Sequence, residues 1–130
     1  MGNVPTDNQY ELLLAFRTRL RRFDSWSRDA AAEHGLTHAQ HQLLLAIRGH
    51  AGPAAPTIGD VAESLLVKHH TASELVDRTQ ALGLLERVRD PEDHRRVRLV
   101  LTDRGREVLA GLTEVHLEEL RRLAHVLDEL

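Results

Sequence analysis

The chain has 130 residues, of which 42% are hydrophobic, and its formal net charge is −3 at pH 7. This length suffices for one domain with a modest core, and a partner subunit would help such a domain to bury apolar surface. Cysteine is absent, which excludes disulfides, thiolate zinc sites and thiol redox sensing. The sequence contains no signal peptide, apolar span or low-complexity tract, so we expect a cytoplasmic protein without a membrane segment.

Two helices are predicted in the first part of the chain. The first covers residues from about 7 to 33 and ends before Gly35, a residue that tolerates positive φ. Thr37 is a suitable N-cap for a second helix that runs to about Gly49. Residues 50–56 contain two prolines and a glycine, which predict a loop. The apolar stripe of the first helix consists of Leu12, Phe16, Leu20, Phe23 and Ala30.

Two short helices joined by a tight turn are predicted next. Residues 57–66 form the first, residues 67–69 form the turn, and the second runs from His70 to Leu82 before Gly83. The predicted apolar faces consist of Ile58, Val61, Ala62 and Leu65, and of Ala72, Leu75, Val76, Thr79 and Leu82. The polar residues between them predict an outward face made of His70, Thr71, Ser73, Glu74, Asp77 and Arg78. This arrangement indicates a helix-turn-helix.

A β-hairpin with an arginine-rich tip follows the helix-turn-helix. Residues 84–89 and 96–101 read as two short strands, and residues 90–96 form the charged tip. Residues 68–106 carry nine basic and seven acidic side chains, whereas the rest of the chain carries eight basic and thirteen acidic ones. The positive excess therefore lies around the hairpin, where it favours contact with the phosphates of double-stranded DNA.

The remainder of the chain, residues 103–130, predicts one long helix that begins after Thr102. No later domain in this sequence covers its apolar stripe, so we expect the first and last helices to form a homodimer. Pairing of the two helices within a monomer is the alternative. The stripe consists of Val108, Leu109, Leu112, Val115, Leu120, Leu123, Val126, Leu127 and Leu130.

These residues together resemble the MarR family of winged helix-turn-helix transcription regulators. The most specific match is the wing pattern carried by Asp93, Arg95, Leu99, Leu101 and Thr102, which Gly105 follows. Further matching segments are Leu65-Leu66-Val67, Leu75-Val76-Asp77-Arg78, Gly83-Leu84-Leu85-Glu86-Arg87 and Asp90-Pro91.

The resemblance implies a mainly α fold with a small β-hairpin wing, in the order helix, helix, short strand, helix-turn-helix, wing and dimer helix. It implies a single domain over residues 1–130. In that domain residues 37–102 form the DNA-binding lobe, and residues 7–34 and 103–130 form the dimerisation helices.

The resemblance also assigns residues to DNA contact. The outward face of the second short helix would enter the major groove, and Arg95, oriented by Asp93, would enter the minor groove. Arg96 and Arg98 would contact neighbouring phosphates, and Lys68 is either a phosphate contact or a solvated turn residue. The dimer would bind a pseudo-palindromic duplex and act as a repressor. The predicted DNA-binding residues are Lys68, His69, His70, Thr71, Ser73, Glu74, Asp93, Arg95, Arg96 and Arg98.

Members of this family commonly bind small aromatic or phenolic effectors between the dimer helices and the DNA-binding lobe. The residues that such a crevice would use here are Phe16, Phe23, Trp26, His41 and Leu44, with Arg17 or Arg22. The family generally has a further C-terminal helix near where this sequence stops, which leads us to expect a smaller dimer contact. Thr79 stands where the family tends to have leucine, and it would weaken the core if it were fully buried.

Three alternatives come from other classes of function. A zinc-responsive regulator would use weak candidate ligands, namely His34, His38, His41 and His116 with Glu33. A dimeric interaction module that does not bind DNA would leave the arginine-rich tip without a purpose. We do not expect an enzyme or a bound cofactor, because the sequence lacks the nucleophile, phosphate-loop, dinucleotide and metalloprotease motifs.

Overall fold

The computed structural model describes residue 2 and residues 4–128. This part of the chain forms five helices and one antiparallel hairpin, so the mainly α fold with a β-hairpin is confirmed. None of the described helices is long and apolar enough to cross a membrane. The elements are α1 (Asp7–Glu33), α2 (His38–Arg48), α3 (Ile58–Leu65), α4 (His69–Ala81), β1 (Leu85–Arg89), β2 (Val97–Leu101) and α5 (Asp103–Asp128).

Threonine caps define where the first three helices begin. Thr6, Thr37 and Thr57 each precede a helix and each form a reciprocal capping box with the side chain three residues later. At α3, for example, the Asp60 backbone N–H donates to Thr57 Oγ1 at 3.2 Å, and the Thr57 backbone N–H donates to Asp60 Oδ2 at 3.0 Å. These bonds satisfy amide groups that the first turn would otherwise leave unpaired. The predicted starts of α1, α2 and α3 are therefore confirmed to within a residue.

The second helix of the helix-turn-helix differs slightly from its predicted bounds. It begins at His69, one residue earlier than expected, and Lys68 occupies the N-cap without a side-chain hydrogen bond to the helix. Leu82 was expected to be buried, but 44% of its surface is exposed. The reason is that α4 ends at Ala81 and Leu82 is its C-cap, so Leu82 no longer follows the helical stripe.

A single hydrophobic core joins the helices to the hairpin. Its largest fully buried side chains come from α2, α3, α4, both strands and α5, namely Leu43, Leu44, Val61, Val76, Leu85, Leu99 and Leu112. Thr79 is also fully buried, and its hydroxyl donates a hydrogen bond to the Leu75 carbonyl oxygen at 2.7 Å. Because this hydroxyl is satisfied, the threonine does not impose the penalty of an unpaired buried polar group.

The predicted hairpin is present, with Leu85 paired to Leu101 at its base and Arg89 paired to Val97 beside its tip. The short strand that the family resemblance implied before α3 is absent from the described part of the chain. A single backbone bond takes its place, in which the Leu99 N–H donates to the Pro56 carbonyl oxygen at 2.8 Å. Pro56 has no N–H to donate, so this contact does not extend into a ladder.

The junction between hairpin and α5 is closely packed. The Thr102 hydroxyl donates to the Gly83 carbonyl oxygen at 2.6 Å and accepts from the Gly105 N–H at 3.1 Å. A Cβ atom at Gly105 would overlap the Leu84 carbonyl oxygen. Glycine is therefore required here by close backbone approach, and α5 starts in a fixed position against β1 and β2. The side chains of Val126 and Leu127, and all of Leu130, lie outside the described residues.

Candidate nucleic-acid interface and effector crevice

Helix α4 has one buried face and one polar outer face. Ala72, Val76 and Thr79 are buried against the core. The predicted DNA-binding residues occupy the other side of the helix and its N-cap. Of these, Lys68, His69, His70, Thr71 and Glu74 are exposed and Ser73 is half-buried. We find no hydrogen-bond or ion-pair partner for their side chains among the described residues, so this face is available to an external ligand.

The tip of the hairpin is held by carboxylates that accept backbone hydrogen bonds. Asp93 Oδ1 accepts from the Arg95 backbone N–H at 3.1 Å and lies 3.4 Å from Arg95 Nε. Arg95 is nevertheless 94% exposed, and Arg96 Nε lies 3.8 Å from Asp93 Oδ2. Asp93 therefore lies between two outward guanidinium groups, in agreement with the orienting role expected of it.

Arg98 has a different role from the phosphate contact that we expected. Its side chain is only 18% exposed, because Arg98 Nε and Nη2 both lie 2.9 Å from Asp90 Oδ2. Arg98 Nη1 also donates to the Ala55 carbonyl oxygen at 3.0 Å. The Glu92 backbone N–H and then the Arg98 guanidinium lower the pKa of Asp90 below its ordinary value. Arg98 thus joins the wing, close to its tip, to the loop before α3, and these contacts leave little of its side chain free to reach a phosphate.

A second bridge, which was not predicted from the sequence, joins the wing to α4, the helix that we expect to enter the major groove as the recognition helix. Arg87 on β1 donates one guanidinium bond to Asp77 and another to Gln80, both on α4. Asp77 belongs to the outward polar face, as expected, and its 64% exposed side chain pairs with this arginine. The two elements that would meet DNA are therefore connected to each other by side chains. The sequence signal for this bridge is a basic residue on β1 together with two polar residues on α4 that could pair with it.

A cavity of about 410 Å³ opens between α1, α2 and α5. Two of the predicted crevice residues, Phe23 and His41, line it, whereas Phe16, Arg17 and Arg22 do not. Leu44 is 0% exposed and belongs to the core, and Trp26 contacts the site indirectly, with its ring centroid 4.7 Å from that of His116. The lining residues are Phe23, Asp24, Ser27, His38, His41, Gln42, Leu45, Thr113, His116, Leu117 and Leu120.

Histidines from two helices meet at the inner end of this cavity. The ring centroids of His41 and His116 are 4.6 Å apart. His116 Nδ1 donates to the Leu112 carbonyl oxygen at 2.7 Å, and its Nε2 lies 2.7 Å from the Ser27 hydroxyl, so both nitrogens are satisfied. His41 is 2% exposed. Its burial, and after that the neighbouring His116, lower the pKa of His41 to about 4.

Two ring nitrogens in this cluster have no partner. His38 Nδ1 and His41 Nδ1 are both buried and make no hydrogen bond with any described residue. Such atoms are uncommon in folded proteins because an unpaired buried polar group costs on the order of 1–3 kcal/mol. Both histidines line the cavity, but these two nitrogen atoms have almost no surface open to it.

The four histidines proposed as weak metal ligands do not form a metal site. Within the described ranges, no three His, Cys, Asp or Glu side chains are arranged to hold a metal ion. His116 has both nitrogens engaged, and His34 Nδ1 donates to the Ala30 carbonyl oxygen at 2.9 Å. The rings of His41 and His116 pack against each other rather than directing nitrogens to a common point. The described residues therefore give no support to the zinc-responsive alternative.

The fold is shared with regulators of known structure. A MarR-family protein from Bacillus stearothermophilus aligns with a TM-score of 0.79 at 21% identity, covering 93% of this chain and 82% of that protein. The complex of Staphylococcus aureus MepR with DNA aligns with a TM-score of 0.71 at 21% identity, covering 90% of this chain and 82% of that one. These likenesses show that the arrangement of helices and wing is that of a winged helix-turn-helix.

Sequence comparison identifies the family. The sequence profile of the MarR family matches residues 34–96, which include the helix-turn-helix and most of the wing. The HTH-type transcriptional regulator TtmR of Methylorubrum extorquens is 30% identical over 140 residues, an alignment that covers 97% of this chain and 70% of TtmR. The HTH-type transcriptional repressor MdtR of Bacillus subtilis is 26% identical, with 92% and 83% covered. This chain is a transcription regulator of the MarR family.

Proposed function

We propose that this regulator acts as a homodimeric, ligand-responsive repressor that binds a pseudo-palindromic DNA duplex in the cytoplasm. Residues 37–102 serve as the DNA-binding lobe, and α1 and α5 hold the dimer together. The proposal is supported chiefly by the fact that two exposed polar elements are held together by side-chain contacts. The unpaired polar face of α4 and the exposed Arg95 guanidinium at the wing tip are fixed to each other through Arg87.

The two elements suit different grooves of the same duplex. A helix such as α4 fits the major groove, where three or four of its side chains reach base edges. An exposed arginine on a short hairpin fits the narrower minor groove, where the negative potential is enhanced. The half-sites would lie about one helical turn (~10 bp) apart, as for other two-fold helix-turn-helix dimers. MdtR, a relative of this chain, is described as a repressor, and we extend that role to this protein.

The dimer is proposed because α1 and α5 present apolar side chains to solvent. On α1, Tyr10, Leu13 and Leu14 recur at helical spacing and are each more than half exposed. On α5, Leu117 and Leu120 are nearly half exposed. Exposed leucines at helical spacing on two long helices form a larger apolar surface than a soluble monomer ordinarily leaves in water. A second copy of the chain would cover them with its own matching helices.

The response to a ligand is proposed because two cavities share a wall. His38 and Gln42 on α2 line the crevice between α1, α2 and α5. The same two residues also line a cavity of about 440 Å³ between α2, α3 and α4, which Thr71 and Glu74 of the recognition helix border. A ligand that moves His38 or Gln42 would thereby alter the packing beside α4. Such a shift changes the spacing of the two recognition helices and weakens binding to consecutive major grooves.

A gel-shift titration tests the proposal. The DNA flanking the protein's own coding region is titrated at fixed salt with the wild type, Arg95→Ala and Arg28→Ala. Arg28 is an exposed residue of α1, so its replacement controls for the loss of one positive charge far from the wing. We expect Arg95→Ala to weaken binding by about 1–3 kcal/mol and Arg28→Ala to leave it nearly unchanged. Equal affinities of the wild type and Arg95→Ala would refute the proposed role of the wing.

A further inference from the structure

The crevice between α1, α2 and α5, which is expected to hold small aromatic or phenolic molecules, carries a carboxylate and no arginine or lysine. Among the residues that line it, none is arginine or lysine, and Asp24 supplies a carboxylate. Asp24 is exposed and forms no ion pair with any described residue. The arginines of α1 that lie near this region, Arg19 and Arg22, line a separate cavity with Arg122. The crevice therefore offers no arginine or lysine to a bound anion.

Imidazole rings and the aromatic ring of Phe23 line the crevice. His41 remains uncharged at neutral pH because burial lowers its pKa to about 4. An uncharged imidazole has one nitrogen lone pair, and His41 lines this crevice. The ring of Phe23 also lines the cavity, and aromatic faces attract cations.

We propose that the effector of this regulator is an apolar molecule that carries a protonated amine. Its ammonium group would pair with Asp24 and donate a hydrogen bond toward the uncharged imidazole of His41, and its apolar body would pack against Phe23 and Leu45. The proposal rests on the ligand-responsive function proposed above and specifies the chemistry of the ligand. A carboxylate of the same shape would meet Asp24 without any compensating cation, so the crevice discriminates against it.

The single tryptophan of the chain provides the measurement. Trp26 packs against His116, which lines the crevice, with ring centroids 4.7 Å apart. Its fluorescence is therefore expected to change when the crevice fills. Adamantylmethylamine, adamantylmethanol and adamantane carboxylate share one apolar body and absorb no light near the tryptophan band. Each is titrated into the full-length protein at pH 7, and the three dissociation constants are compared.

We expect the amine to bind at least about tenfold more tightly than the carboxylate, with the alcohol between them. Asp24→Asn should weaken amine binding roughly three- to fivefold, the range for a partly solvated ion pair, and leave the alcohol unchanged. Asp29→Asn is the matched control, because Asp29 is an exposed carboxylate of the same helix that does not line the crevice. It should leave all three constants unchanged.

Three results would overturn the proposal. These are a carboxylate that binds as tightly as the amine, equal effects of Asp24→Asn and Asp29→Asn, and no saturable fluorescence change with the amine up to its solubility limit. A gel shift without ligand is run on the same protein samples. If the samples bind DNA while the amine shows no preference, only the ligand assignment fails, whereas absence of DNA binding rejects the function on which it rests.

Discussion

Replacement of His41 by glutamine should remove a pH dependence from the free energy of unfolding. In the folded protein, burial of the ring and then the neighbouring His116 lower the pKa of His41 from 6.5 to about 4. The unfolded chain therefore takes up a proton near pH 6.5 that the folded protein does not take up until about pH 4. This contribution to stability is present at neutral pH and is lost as the pH falls through that window.

The size of the effect follows from the same two values. At about pH 5 nearly all unfolded chains carry the proton and few folded ones do, so linkage gives a loss of about 2 kcal/mol relative to about pH 7.5. Urea unfolding of the wild type and His41→Gln at both pH values, at one protein concentration, measures it. Carboxylates titrate in both proteins and cancel in the comparison. The variant should lose about 2 kcal/mol less than the wild type between the two pH values.

A second replacement keeps this test independent of the absolute stability of the variant. His41→Phe changes the packing and polarity of the site differently from His41→Gln, so the two variants will differ in stability at neutral pH. Both lack a titrating group at this position, and they should therefore share the reduced pH dependence. If the wild type and both variants lose equal stability on acidification, the argument that burial keeps this imidazole uncharged is wrong.

Three further predictions concern the wing and the dimer. Gly105→Ala should destabilise the fold by about 3 kcal/mol, measured by thermal unfolding, because its Cβ would overlap the Leu84 carbonyl oxygen; an unchanged melting temperature would contradict that contact. Leu14→Asp should shift sedimentation from dimer to monomer, and a dimer that persists would show that α1 is not the interface. Arg98→Leu should loosen the wing, which faster amide hydrogen exchange would show, and should leave the salt dependence of DNA binding unchanged. If Arg98 contacts a phosphate, the slope of log affinity against log salt concentration would instead fall by about one.

The helices and the wing were predictable because their signals are local. The threonines at positions 37 and 57 cap helices whether or not the rest of the protein is known, and Gly35 and Gly83 adopt the positive φ expected after a helix. The charged tip of the hairpin likewise follows from neighbouring residues. By contrast, the end of α4 at Ala81 was missed by one residue because leucine at position 82 continues the apolar pattern.

The roles of individual arginines were less predictable, since they depend on contacts between distant segments. Arg98 and Arg95 look alike in the sequence, but the loop before α3 supplies Ala55 as a partner to one of them only. The proximity of His116 to His41 was predicted, because both were proposed as candidate ligands of one metal site. The position of Arg22 outside the crevice was not predicted, because it depends on how α1 is rotated against α5.

The continuity of α5 gives the protein a mechanical property. Its first turn is fixed against the hairpin at Gly105, and His116 on the same helix lines the effector crevice. At 1.5 Å per residue, His116 lies about 20 Å along the axis from Asp103, so a rigid tilt of about 5° at the crevice displaces the hairpin end by about 2 Å. In the proposed function, α5 would therefore transmit a tilt at the crevice to the hairpin that we expect to contact DNA. A bound molecule would then shift the wing by about 2 Å without itself reaching the duplex.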